Sequence, residues 1–186
     1  FSSEATITLV TDVTPKGLET ALGGGTLGVL VFDANAQAVA EATVQIQNSS
    51  VTPAIDLTLL TDSSGRVLLP GAPVCLECYA ITVTKEGFSS DKTYTTSEVA
   101  HPDKPPASVT EGELTQVSLA IDRLSTLLVR SNLGNIFFQL TSISKQIGTD
   151  IEGEPVYKYD QLLQTGGVGS VTVNDLEWGS YALSLP

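Results

Sequence analysis

The sequence predicts an all-β protein built of two tandem β-sandwiches, the second of them incomplete. Three observations predict it: residues alternate apolar and polar with period two, turn-forming residues punctuate the alternation, and the second half repeats the first. Ile7 and Leu9 flank Thr8, and Val44 and Ile46 flank Gln45, as in strands with one buried face. Gly, Asn, Asp and Ser gather in DANAQ at 33–37, TDSSGR at 61–66, KEGF at 85–88 and TGGVG at 165–169, where a chain of strands must reverse. No stretch holds a 3.6-residue period over helical length; ETAL at 19–22 is too short.

Taken in order, the first element is a strand at 4–13 with Ile7 and Leu9 on one face. Gly23-Gly24-Gly25 follows as a flexible joint, so 1–22 reads as an N-terminal strand and linker. Strands at 26–33, 42–48, 57–61, 66–69, 79–85, 92–97 and 113–121 then form a first sandwich over 23–121. Its expected core is Leu27, Val29, Val31, Val44, Ile46, Leu57, Leu59, Val67, Leu69, Tyr79, Ile81, Val83, Val117, Leu119 and Ile121. HPDKPPASVTEGE at 101–113 is polar and Pro-rich, the composition of a surface loop. A second sandwich over 122–186 has strands at 124–131, 136–143, 156–164, 169–175 and 180–185. Five strands are few for the same architecture, and this unit reads as truncated.

The repeat is explicit. TDSSGRVLL with CYAITV in the first half parallels TGGVGSVTV with SYALSL in the second. Thr61 matches Thr165, Gly65 matches Gly169, Val67 matches Val171, Tyr79 matches Tyr181 and Ile81 matches Leu183. Nine residues, PGAPVCLEC, separate Leu69 from Tyr79, whereas seven, NDLEWGS, separate Val173 from Tyr181. The two cysteines therefore occupy a connection that the second copy makes with Trp178-Gly179-Ser180.

Composition narrows the function. The chain of 186 residues is 41% hydrophobic and 16% charged, which suits a folded protein. Its 21 acidic against 9 basic residues give a net charge of −12 with no basic cluster, which disfavours nucleic acid and anionic lipid as partners. The longest apolar run, LGVLVF at 27–32, is far short of the roughly 20 residues that span a bilayer. Phe1 in place of Met predicts a processed product or a fragment. Abundant Ser and Thr, absent Met and two closely spaced cysteines are compatible with export.

The run Thr61-Asp62-x-x-Gly65-x-Val67, then Gly71, then Tyr79-x-Ile81-x-Val83-x-x-x-Gly87-Phe88 resembles the signature of carboxypeptidase regulatory-like domains. Those are transthyretin-like, Ig-type β-sandwiches. Gly28-x-Leu30-x-x-Asp33 with Val39-x-x-Ala42-x-Val44 is similar to the first hairpin of that family. The resemblance covers 24–121 and, more weakly, 122–186 as a shortened copy. It implies tandem Ig-like sandwiches that are non-catalytic accessories of enzymes, receptors or bacterial surface proteins. The order of blocks and the phrases VTPAIDLTLLTDSSG, LPGAP and ITVTKEGFSSDKTY resemble, more narrowly, prepilin-like bacterial surface proteins that carry such sandwiches in series behind an N-terminal anchor. A pilin of that kind opens with Phe and a long apolar helix, whereas Phe1 here leads into SSEATITLV, which reads as a strand. Related Gram-positive pilin domains form Lys-Asn isopeptide bonds, but strand 26–33 has no Lys, and that chemistry is not implied.

Few residues offer chemistry. Cys75 and Cys78 have the CxxC spacing, yet a zinc site needs about four ligands and the chain has one imidazole, His101. A redox dithiol sits at a helix start, and Cys78 runs into the strand Tyr-Ala-Ile-Thr-Val. A local disulfide, or a pair of free thiols in a reducing compartment, remains; the disulfide is the expectation, worth about 2 kcal/mol for so small a loop. Asp150, Glu152 and Glu154, with Asp160 further on, are calcium candidates without the EF-hand spacing. Asn48-Ser49-Ser50 fits the glycosylation acceptor pattern. Any Ser-His-Asp or Cys-His centre would have to use His101, and paired carboxylates have only Trp178 as an aromatic platform. The expectation is a non-enzymatic protein without a cofactor.

The function expected is an extracellular structural or adhesive protein of a bacterial surface, with other copies of itself or other surface proteins as partners. Strand 4–13 of one molecule would complete the open sandwich of the next in a pilus or filament. The alternative is that 4–13 belongs to an upstream domain or pairs within its own chain. A different class, an accessory regulatory or polysaccharide-binding module of a secreted enzyme, would have glycans as partners and Trp178 as the contact.

Overall fold

The computed structural model describes residues 24–186, all in strands, turns and loops. The strand expected at 4–13, with Ile7 and Leu9, and Gly23 of the expected joint lie outside the described residues. Nine strands precede residue 121: β1 (Gly24–Phe32), β2 (Thr43–Asn48), β3 (Ile55–Leu60), β4 (Arg66–Pro73), β5 (Cys75–Thr84), β6 (Asp91–Lys92), β7 (His101–Pro102), β8 (Ala107–Val109) and β9 (Leu114–Ala120). Seven follow: β10 (Leu124–Arg130), β11 (Phe137–Thr141), β12 (Gln146–Thr149), β13 (Pro155–Tyr157), β14 (Asp160–Gln164), β15 (Ser170–Glu177) and β16 (Ala182–Ser184).

The first sandwich packs two sheets face to face. One has the order β4-β1-β9, with β1 antiparallel to β4 and parallel to β9. The other has the order β3-β2-β5-β6, with β8 added to the start of β5. Alternation does the work expected of it: Leu27, Val29 and Val31 of β1 meet Val44 and Ile46 of β2 and Tyr79, Ile81 and Val83 of β5 in one buried cluster. Of the expected core only Leu57 is exposed. It pairs with Ile46, but β3 is the edge strand and the inner face ends there.

The second sandwich is smaller. Among the described residues β10 pairs only with β15, and opposite them lies β14-β11-β16. Phe138 and Leu140 of β11 and Val173 and Leu176 of β15 form the core, with Leu127, Val129, Leu163 and Tyr181 against it.

Several expectations change. Gly24 and Gly25 are the opening residues of β1, paired with Pro73 and Ala72, so they are strand and not joint. A Cβ on Gly25 would lie 2.2 Å from the Thr110 carbonyl oxygen, which explains the glycine by close approach. The strand expected at 92–97 stops at Lys92, because Thr93 turns its hydroxyl onto the Ile81 N–H and Thr95 opens a turn closed by Glu98 and Val99. The loop expected at 101–113 contains β7 and β8, and β7 pairs with β12, binding the first sandwich to the second. The strand expected at 156–164 is two strands in different sheets, β13 on β12 and β14 on β11.

Candidate functional site

The two sandwiches share local devices that define matching positions. Thr61 accepts the Ala42 N–H at 2.9 Å, and Thr165 accepts the Ile136 N–H at 2.9 Å. Gly65 at φ 71° and Gly169 at φ 77° accept from Val31 N–H and Ser131 N–H, in turns that only a left-handed residue closes. The Tyr79 hydroxyl donates to the Pro73 carbonyl at 2.9 Å, and the Tyr181 hydroxyl to the Glu177 carbonyl at 2.8 Å. Val29 pairs with Val67 as Val129 pairs with Val171, so β10 takes the place of β1 and β15 the place of β4.

Against that match, one strand is unmatched. β9 covers the far edge of β1, whereas among the described residues nothing pairs with the far edge of β10. Behind that edge runs a groove of about 580 Å³, lined by the contiguous stretch Ser125–Val129 with Leu140, Leu176, Trp178, Tyr181 and Leu183. Matched side chains show what the missing cover does. Ile81 is 0% exposed and Leu183 is 50%; Val83 is 0% exposed and Leu185 is 69%. Leu128, on the outer face of β10, is also exposed. Among the described residues the site is thus an unpaired strand edge over an apolar cleft, able to take a strand.

The other candidates have structural surroundings. Cys75 and Cys78 are joined by a disulfide, Cα atoms 6.0 Å apart, at the start of β5. Asn48 donates to Cys78 Sγ at 3.0 Å and is 1% exposed, so the amide that fits the glycosylation acceptor pattern is enclosed beside the disulfide. Asp150 accepts the N–H groups of Glu152 and Glu154 at 3.0 and 2.8 Å, which closes the β12–β13 hairpin. Asp160 accepts from Gln139 and Thr141 at 2.6 Å each, and these bonds hold its carboxyl below the usual range. Among the described residues no cluster of three His, Cys, Asp or Glu is placed to hold a metal ion. His101 lies in β7, bridged to Thr149, a pairing role that its Pro-rich surroundings concealed.

Glu177 is a polar centre that the sequence did not single out. Buried at the end of β15, it has Lys158 Nζ at 2.5 Å and Lys145 Nζ at 2.8 Å, the latter a close ion pair not aligned as a hydrogen bond. Around it a cleft of about 610 Å³ opens between the sandwiches, lined also by Asp91, Tyr94, Lys104 and Trp178. Burial raises the Tyr94 phenol to about 12, and the carboxylates of Asp91, Glu98 and Glu177 add to it. The matching residue in the first sandwich is Pro73, so only the second copy has this clamp. The repeat offset, applied to β1 and β4, was the signal that would have picked out Leu127 and Leu176.

No helix among the described residues is long and apolar enough to cross a membrane. No family model matches the chain, and no curated protein matches it. Solved structures similar to it include the Bacillus anthracis TIE protein, at 16% identity over 88% of this chain and 28% of that one, with a TM-score of 0.41. A streptococcal ancillary pilin follows at 13% identity over 86% of this chain and 52% of that one, TM-score 0.38. The shaft pilin SpaA from Lactobacillus rhamnosus GG is 8% identical over 87% of this chain and 93% of that one, TM-score 0.35. The chain thus spans about a quarter and about half of the first two. At scores this low the likeness carries no weight for function, which rests on the geometry of the chain itself.

Proposed function

We propose that this chain is a non-enzymatic structural and adhesive component of a bacterial cell surface, joined to its neighbours in a pilus or filament by β-strand addition. One observation carries the reading: among the described residues β10 has an unpaired edge, and the groove behind it exposes Leu183 where the first sandwich buries Ile81. An unpaired edge over apolar pockets gains both backbone hydrogen bonds and side-chain burial from an incoming strand. The matched Thr, Gly and Tyr devices support two carboxypeptidase regulatory-like units, 23–121 and 122–186, in series. The Cys75–Cys78 disulfide supports an extracellular setting, and an intact mass that rises by two hydrogens on reduction is the expected check. Partners are other copies or other surface proteins. Light scattering and electron microscopy of the purified chain across concentration test the assembly: oligomers that lengthen with concentration are expected, and a monomer at every concentration would sink it.

A second reading, a polysaccharide-binding module, is favoured by Trp178, 59% exposed at the mouth of the cleft beside Glu177. Glycan-array binding lost in Trp178→Ala with the fold intact is its expected signature.

A further inference from the structure

We propose that the strand missing from the second sandwich is residues 4–12 of a second copy, lying parallel to β10 with Ala5 beside Leu127, Ile7 beside Val129 and Leu9 beside Ser131. This rests on the open-edge reading above and names the occupant, its direction and its register.

Direction and register come from the first sandwich. β9 runs parallel to β1, with Thr115 beside Leu27, Val117 beside Val29 and Leu119 beside Val31. Since Leu127 and Val129 take the places of Leu27 and Val29, a strand completing the second sandwich in the same way faces Leu127, Val129 and Ser131 at those three steps. Its inward residues must be apolar or small, as Thr115, Val117 and Leu119 are, because they meet Leu140, Leu176 and Leu183.

Residues 4–12, EATITLVTD, fit this requirement residue by residue. Aligned with LTQVSLAID of 114–122, Ala5 falls on Thr115, Ile7 on Val117, Leu9 on Leu119 and Asp12 on Asp122, while Thr6 and Thr8 fall on the outward Gln116 and Ser118. The segment has the alternation of the strand that fills the equivalent place and ends on the same acid. In the first sandwich that acid accepts the Ala34 and Arg123 N–H groups at 3.0 and 2.9 Å, ending β9 at the junction.

Chain length assigns the segment to a second copy. Parallel pairing carries residue 12 past Arg130 at the far tip of the second sandwich, and Gly24 opens β1 at the opposite end of the first. Laid end to end, the six steps of β10 and the eight steps of β1 come to about 46 Å at about 3.3 Å per residue, more than the about 41 Å that the twelve steps from Asp12 to Gly24 reach fully extended.

The test is cysteine cross-linking in the full chain. Thr6 and Leu128 face outward at one register step, so Thr6→Cys with Leu128→Cys should convert monomer into a ladder of disulfide-linked oligomers under mild oxidation. Thr8→Cys with Arg130→Cys should repeat the result, and Thr8→Cys with Leu128→Cys, two residues out of register, should stay monomeric. Equal cross-linking in that mismatched pair overturns the register. A cross-link confined to single chains overturns the second copy as donor. A peptide of residues 113–122 carrying Gln116→Cys separates the two levels of the proposal. If it labels the Leu128→Cys chain while Thr6→Cys with Leu128→Cys gives nothing, the donor is wrong and the open edge stands. If neither reacts, both fall.

Discussion

Among the described residues the first sandwich is closed and the second is open, although the two share the same turns, threonine bridges and tyrosine anchors. The difference is one strand. With β9 present, Tyr79, Ile81 and Val83 are fully enclosed; without a counterpart, Tyr181 is half-buried and Leu183 and Leu185 face solvent. Local sequence devices thus set the path of each strand, while the last non-local pairing decides whether the inner face becomes core or binding surface.

Matched substitutions should separate the copies. The largest contrast is Ile81→Ala against Leu183→Ala: about 3 kcal/mol is expected from the first, which opens a cavity in a closed core. Less than about 1 kcal/mol is expected from the second, whose side chain is already half in water. Urea unfolding followed by circular dichroism, with Trp178 fluorescence reporting on the second sandwich, reads both; equal losses would mean that the second core is closed as well.

Next is Glu177→Gln, which leaves Lys145 and Lys158 without their shared carboxylate. A loss of about 2 kcal/mol is expected, below the usual figure for a fully buried pair because both lysines keep part of their hydration. It should fall on the fluorescence transition alone, since Pro73 occupies the matching place in the first sandwich.

Thr61→Val and Thr165→Val probe the shared bridge. Thr61 both accepts from Ala42 and donates to the Val39 carbonyl, whereas Thr165 only accepts. Losses of about 2 and about 1 kcal/mol are expected from thermal melts, and the reverse order would break the equivalence.

The smallest effect concerns pH. Lys92, with the Thr95 N–H and hydroxyl, holds the Glu98 carboxyl down from 4.5 to about 2. A lowered folded-state value contributes stability that is present above 4.5 and fades as pH falls toward 2. Glu98→Gln should therefore flatten the acid limb of the first sandwich's stability slightly, because the pair is exposed to solvent. An unchanged pH profile would remove the ion pair from the account.

Much of this architecture was legible in the sequence because strands of six or more residues write their alternation plainly, and because Thr61, Gly65, Tyr79 and their counterparts keep their spacing. Counting strands found five in the second unit where the structure has seven, and the edge of β10 left open among the described residues shows only in the pairing. What stayed hidden has physical causes. β7 and β8 are two and three residues long, too short to show a period, and Pro-rich flanks disguise them. The run 156–164, VYKYDQLLQ, has no Gly or Pro to mark a break, but its sheets change at Lys158, whose N–H donates to the Lys145 carbonyl, and at Tyr159, whose N–H meets Ser142. Glu177 gathers partners from separate elements, and no local pattern encodes such a meeting.

The tyrosine anchors have a consequence for engineering. Tyr79 reaches a carbonyl six residues back and Tyr181 one four residues back, yet both land on the last residue of the preceding strand. The hydroxyl measures a place in space rather than a length of chain, so the span between latch and strand end is free to grow. A foreign epitope grafted at Leu76-Glu77, between the two bonded cysteines where Leu76 is 82% exposed, should be displayed on the surface with the sandwich beneath it unaltered, which makes this turn a natural display port.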